Sequence, residues 1–162
     1  MKTAGFSLIE VLVATAIVTV GVASLAQLFV LSARANRIAN TASMTVLLAE
    51  EKMEQLRAET TGLDPSPPDA LSANREGYFD GLDPSGRSLG GGTSTTLPSG
   101  AVYIRRWSVE PLETVSTSAG SAIVLQVLVI PWDGRGWAEA GHSMARVPGG
   151  TRLVTLRPRK AG

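Results

Sequence analysis

The stretch "KTAGFSLIEVLVATAIVTVG", residues 2–21, opens the chain with a single acid, Glu10, at the head of a long apolar run. From Val11 to Leu31 there are 21 consecutive positions without a charge and without a proline. At about 1.5 Å per residue, a helix of that length crosses a hydrocarbon layer about 30 Å thick. The run is rich in Val and Ile, which are mediocre helix formers in water. In lipid, however, the backbone can satisfy its own polar groups only as a helix. A core helix of a water-soluble protein seldom runs so long without a charge, so a membrane-spanning helix is expected.

The helical pattern continues past Leu31. "SARANRIANTASMTVLLAEEKMEQLRAE", residues 32–59, contains neither Gly nor Pro, and Gly62 and Pro65 follow it. Ile38, Ala42, Val46, Ala49, Met53 and Leu56 recur at steps of 4, 4, 3, 4 and 3, one stripe on a helix. Arg34, Arg37, Glu51, Glu54 and Arg57 fall off that stripe. One helix is therefore expected from about Phe6 to Thr60, with a lipid-soluble first half and an amphipathic second half. The stripe is short and Ala-rich for a coiled coil, which favours packing against a domain.

Composition removes several kinds of chemistry. The 162 residues carry a formal net charge of +1, which gives no bulk attraction for nucleic acid. There is no cysteine, so disulfides and thiolate metal sites are excluded. The lone histidine, His142, cannot form a multi-histidine zinc centre. No cofactor and no small-molecule substrate is expected.

Most Gly and Pro residues follow position 60. Residues 62–100 read as a turn-rich surface connection with at most one small turn or strand. The period then changes to two. "AVYIRRWSVEPL" (101–112) places Val102, Ile104, Arg106 and Ser108 on one side and Tyr103, Arg105, Trp107 and Val109 on the other. "SAIVLQVLVIPW" (121–132) is an almost wholly apolar strand ended by Pro131. "GTRLVTLRPR" (150–159) sets Leu153 and Thr155 opposite Arg152, Val154 and Leu156. Turn-rich segments separate the three, so an antiparallel meander is expected, one face on the Ile38–Leu56 stripe. The fold class is α+β.

Three readings of the first residues compete. A secretory signal peptide has an apolar region of about 7–15 residues; this run is longer, although Ala33-Arg34-Ala35 imitates a cleavage site. A plain signal anchor has no use for Glu10. The third reading takes Gly5, Phe6 and Glu10 together. "GFSLIEVLVA" (Gly5–Ala14) resembles the type IV pilin superfamily, whose leader is cut after a glycine, before a residue that is usually Phe, with Glu four positions beyond.

That resemblance implies a leader at residues 1–5, a transmembrane and filament-core helix at 6–31, an amphipathic half at 32–61, a connection at 62–100 and the sheet region at 101–162. It implies cleavage between Gly5 and Phe6, N-methylation of Phe6, and pairing of the Glu10 carboxylate with the Phe6 amine of a neighbouring subunit. A lone carboxylate and a lone ammonium are each costly among apolar helices, and pairing offsets much of both costs. Otherwise Glu10 is an acid favoured by the positive end of the helix dipole.

The implied partners are a prepilin peptidase, other pilins or pseudopilins, an inner-membrane assembly platform, and membrane lipid before assembly. The implied location is the bacterial inner membrane, with the globular part in the periplasm, and then a filament. The sheet sequences, Tyr103-x-Arg105-x-Trp107-x-Val109, "VLQVLVIPWDGRG" and "RLVTLRP", with the helix end "LLAEEKMEQLRAE", look like V-type minor pilins. The I-type minor pseudopilins of type II secretion are close relatives. Many major pilins have a proline in the apolar run and a C-terminal disulfide; this chain has neither. A periplasmic domain with no filament role is the reading from another class; it expects an intact N-terminus or a start near Asn36.

Four other motifs read as ordinary structure. "GHSMA" (Gly141–Ala145) approximates a nucleophile elbow, but no histidine follows His142 and Pro148-Gly149-Gly150 blocks the helix that motif needs. "DGLDPSG" (Asp80–Gly86) resembles a calcium loop but has Leu82 and Pro84 at ligand positions. Gly90-Gly91-Gly92 is not followed by a phosphate-binding Lys. Arg152, Arg157, Arg159 and Lys160 read as a solvated strand end rather than a DNA contact.

Overall fold

The uncharged run and the amphipathic run form one element. In a computed structural model that describes residues 5, 7–59, 63–90, 97–112, 122–132 and 149–158, α1 spans Leu8–Ala58. Residues Met1–Ala39 and Asn40–Gly162 form separate compact units. In the first unit the large apolar side chains from Leu8 to Leu31 are exposed, none below 49%. Its hydroxyls bond back to carbonyls of the same helix: Thr15 Oγ1 to Val11 and Leu12 O (3.0 and 2.9 Å), Thr19 Oγ1 to Thr15 O (2.7 Å), and Ser24 Oγ to Val20 O (2.9 Å). Polar groups satisfied inside the helix are what an apolar medium requires.

In the second unit, the strands are β1 (Phe79–Leu82), β2 (Tyr103–Leu112), β3 (Ala122–Pro131) and β4 (Thr151–Pro158). Among the described residues they make one antiparallel sheet in the order β1-β2-β3-β4. The expected meander is present, and the turn-rich connection supplies its first strand. All four residues of β1 are buried. Nothing in that short segment alternates, which is why its pattern gave no strand signal.

The core lies between the sheet and the last turns of α1. Leu48, Ala49, Met53 and Leu56 pack with Leu82, Val109, Leu125, Val127 and Val129, and Tyr103, Trp107 and Leu153 complete the layer. The odd-numbered face of β2 is thus the helix-facing one. On the other face Ile104, Leu128 and Ile130 pack with Leu71, Leu97 and Trp132. The expected stripe needs correction. Thr45 and Leu48 are buried, whereas Val46 is 37% and Ile38 64% exposed. Thr45 can occupy the core because its Oγ1 lies 2.9 Å from each of Ala42 O and Gly149 O, to which it donates, and from Thr151 Oγ1, with which it shares a hydroxyl–hydroxyl bond.

Candidate functional site

Ser7 starts the helix. Its carbonyl accepts the N–H of Glu10 (3.0 Å) and of Val11 (3.3 Å), the first bonds of α1. With Ser7 at the cap, Glu10 occupies the third helical position. The spacing Ser7-x-x-Glu10 is that of a capping box, in which the acid reaches back toward the N-terminal donors. That signal was available in the sequence and adds a local role for Glu10. Glu10 is exposed in the first turn, where unsatisfied N–H groups favour negative charge.

Gly5 is informative for what does not surround it. Its backbone is not in the left-handed region, and a Cβ placed there would meet nothing within 4 Å. Gly86 is the opposite case: its φ is +87° and a Cβ would lie 2.7 Å from Leu48 Cδ2. The fold therefore requires glycine at position 86 and has no such requirement at position 5. Phe6 lies outside the described residues.

A second constellation joins α1 to the sheet. Arg105, on β2, forks onto Asp80 of β1: Nε to Oδ1 at 3.0 Å and Nη2 to Oδ2 at 2.7 Å. Its Nη1 donates to Leu48 O (3.2 Å) and reaches Glu51 Oε2 (3.4 Å) on α1. Ser88 Oγ donates to Asp80 Oδ2 (3.0 Å). Both partners of this pair are buried. Beside it, Lys52 Nζ lies 3.7 Å from the Trp107 ring centroid. Burial holds the Lys52 ammonium below the usual lysine value, with Arg105 adding to the effect while Asp80, Glu59 and Glu51 oppose it. On the other sheet face Arg106 donates to Asn74 Oδ1 (3.0 and 2.8 Å) and to the carbonyls of Leu71 and Ser72, tying down the segment before β1. These arginines clamp the chain to itself. They were visible in sequence only as strand residues, because Asp80 and Asn74 carry no periodic signal.

The remaining motifs find structural employment where they are described. Asp83 Oδ1 accepts from Ser85 N (2.9 Å), Ser85 Oγ (2.6 Å) and Arg87 N (2.9 Å), so the Asp80–Gly86 loop is an aspartate-centred turn. The Ser85 hydroxyl bond, first among several, holds the Asp83 carboxyl below its usual range. Among the described residues no three His, Asp or Glu side chains are grouped to hold a metal ion. Arg152 bonds Gln126 Oε1, and Arg157 bonds the carbonyls of Leu56 and Glu59. Gly91, Gly92, the Gly141–Ala145 stretch, Arg159 and Lys160 lie outside the described residues.

Within α1 an 18-residue window near the N-terminus has a mean hydropathy of 2.3, and none of it is buried in the protein. It is long and apolar enough to span a bilayer, which is consistent with a single-pass membrane anchor. The family model of a prokaryotic N-terminal methylation motif matches residues 1–26. No curated protein and no solved structure matches the chain.

Proposed function

We propose that this chain, which carries a type IV pilin-like prepilin signal at residues 1–26, is a minor pilin-like structural subunit that primes or modifies a filament. The motif implies processing by a prepilin peptidase and assembly with other pilins. The family is structural rather than catalytic. In this reading the chain is inserted in the inner membrane, cut between Gly5 and Phe6, methylated at Phe6, and drawn into a filament whose core is made of helices such as residues 6–31.

The observation that carries the proposal is the coincidence of the matched motif with an apolar helical stretch of which nothing is buried in its own protein. Such a helix needs lipid before assembly and other helices afterwards. Glu10 supplies the means of registering one helix on another. Its carboxylate would meet the new Phe6 amine of a neighbour, removing a lone ammonium from apolar surroundings. A pseudopilus of type II secretion would use the same steps, and co-purifying partners distinguish the two machines.

The test is the N-terminus of the membrane-extracted protein, read by mass spectrometry with and without a prepilin peptidase. A peptidase-dependent start at Phe6 bearing one methyl group is expected. A start at Met1 or Asn36 despite an active peptidase overturns the proposal in favour of an anchored or secreted periplasmic domain. The Glu10→Ala variant should be made and cut normally yet be depleted from sheared filaments by roughly one to two orders of magnitude, the scale set by an uncompensated charge in an apolar layer. Undiminished incorporation removes the amine-pairing role.

A further inference from the structure

The two edges of the sheet are finished differently. The chain closes the β1 edge itself. Leu89 N–H donates to Gly81 O (2.8 Å), Gly81 N–H to Gly90 O (3.5 Å) and Asp83 N–H to Arg87 O (3.0 Å), and Leu82 bridges to Ser88. At the opposite edge β4 pairs with β3 from Thr151↔Val129 to Ala122↔Pro158. Among the described residues no backbone group bonds its outer side. An open edge displays a row of donors and acceptors and is usually guarded by charges or cover.

Among the described residues, the charges on β4 are directed elsewhere. The Arg152 guanidinium bonds Gln126 on β3, and that of Arg157 bonds the Leu56 and Glu59 carbonyls at 3.2 and 2.7 Å. Between them Val154 and Leu156 are 58% and 64% exposed, on the face away from α1. On the α1 side a groove of about 320 Å³ runs beside Leu153–Thr155, walled by Glu50, Met53, Glu54 and Arg57. Arg57 is already engaged, with Glu54 Oε1 at 2.7 Å and Thr155 Oγ1 at 2.8 Å. Two carboxylates against one guanidinium leave the groove acidic.

We infer that β4 is a strand-acceptor edge, on which an extended segment of a different subunit adds beside Thr151–Arg157. The segment presents a Lys or Arg to Glu50 in the groove and aliphatic residues beside Val154 and Leu156. Main-chain bonds along β4 supply affinity, and the two alternating rows of side chains supply selectivity. Pro158, with no N–H, bounds the acceptor stretch.

The nature of the occupant rests on the filament reading. A second copy does not fit. Head-to-tail continuation has no free β1 edge to use. Pairing β4 with β4 needs a two-fold axis, which a filament of subunits sharing one polarity lacks.

The experiment places a photo-reactive phenylalanine analogue at Val154 or Leu156 of the full chain, and at Ser88 on the closed edge as a control. The chain is made in cells containing its filament machinery, and adducts are mapped by mass spectrometry in the sheared-filament and membrane fractions. Adducts from position 154 or 156 to an extended segment of another subunit are expected at about ten times the yield from Ser88, a difference in occupancy worth about 1.4 kcal/mol. Glu50→Lys should lower that yield roughly three- to tenfold through like-charge contact without changing the amount of chain in the filament. A chain present in filaments without adducts at 154 and 156, or with adducts only to a second copy or to lipid, overturns this inference alone. A chain absent from the sheared fraction overturns the filament reading, and the occupant named here falls with it.

Discussion

Val18 and Leu47 stand on the same helix and are almost equally exposed, at 63% and 61%, but their surroundings differ in kind. Around Val18 every side of α1 is apolar and exposed, and the hydroxyls of Thr15 and Thr19 are turned back onto helix carbonyls. Around Leu47 the helix has two sides: Leu48 and Ala49 are buried against the sheet, while Glu50 and Glu51 are exposed. Equal exposure therefore describes two different solvents. The residues near Val18 suit a medium that offers no hydrogen bonds, and those near Leu47 suit water on one side and protein on the other.

The sharpest way to break that comparison is to place the same charge at both positions. Val18→Arg should cost about 2.5–3.5 kcal/mol of membrane insertion, the scale for arginine at the centre of a spanning helix. Leu47→Arg should change stability by no more than about 0.5 kcal/mol, as an exposed helix substitution does. Carbonate extraction of membranes reads the first, and urea unfolding of the detergent-solubilised chain reads the second. Equal tolerance at both sites would mean that residues 8–31 sit in water.

Next in size is the clamp that gives the second region its sidedness. Asp80→Ala leaves the Arg105 guanidinium buried with only the Leu48 carbonyl and the exposed Glu51 to receive it. A loss of about 3–5 kcal/mol is expected in urea unfolding followed by tryptophan fluorescence. Pairing Asp80→Ala with Arg105→Met should recover much of it, since removal of both charges leaves none uncompensated. A double variant as unstable as the single one would point to lost packing rather than stranded charge.

How much of this was legible before the structure follows from what each residue signals. The uncharged run stands out because a helix apolar enough to span a bilayer needs an unusual composition, and the motif at residues 1–26 because its spacing is distinctive. β2, β3 and β4 announce themselves by alternation or by unbroken apolar character. β1 does not, because Phe79-Asp80-Gly81-Leu82 is short and does not alternate, and the Arg105 that donates to its buried Asp80 lies far along the chain. The face of α1 was read correctly at Ala49, Met53 and Leu56 and missed at Thr45 and Leu48 for a related reason. Ala, Val and Leu lie on both candidate rows, so counting apolar residues favours Ile38 and Val46. The buried row contains Thr45 instead, made acceptable by Gly149 and Thr151 from more than a hundred residues away. Long-range polar partners are the information that a local pattern lacks.

The corrected face makes a smaller prediction. Met53→Ala, 3% exposed in the core, should cost about 2–5 kcal/mol of stability. Ile38→Ala, at 64% exposure, should cost the folded domain no more than about 0.5 kcal/mol. Comparable losses in urea unfolding would return Ile38 to the buried row that Met53 belongs to.

The smallest effect tests whether the second region withdraws charge from water as the first does. Lys52 is half-buried over Trp107, and desolvation holds its ammonium below the ordinary value of 10.5. In the unfolded chain that depression is absent, so between the folded value and 10.5 the unfolded state binds more protons. Stability must then rise with pH across that window. Below it, both states are charged and the cost of burial is constant. Lys52→Met removes the titration together with the ring contact, worth about 0.5–1 kcal/mol. It also relieves the desolvation, so near neutral pH the two changes should cancel to within about 0.5 kcal/mol. As the pH approaches 10.5 the curves should separate, with the wild-type chain gaining on the variant up to that value. Parallel curves would show that the ammonium is hydrated and that the Lys52–Trp107 contact adds nothing to the sidedness of the helix. A wild-type gain would mean that desolvation of the Lys52 ammonium outweighs the attraction of Asp80, Glu51 and Glu59, a cost that the uncharged residues 11–31 never meet.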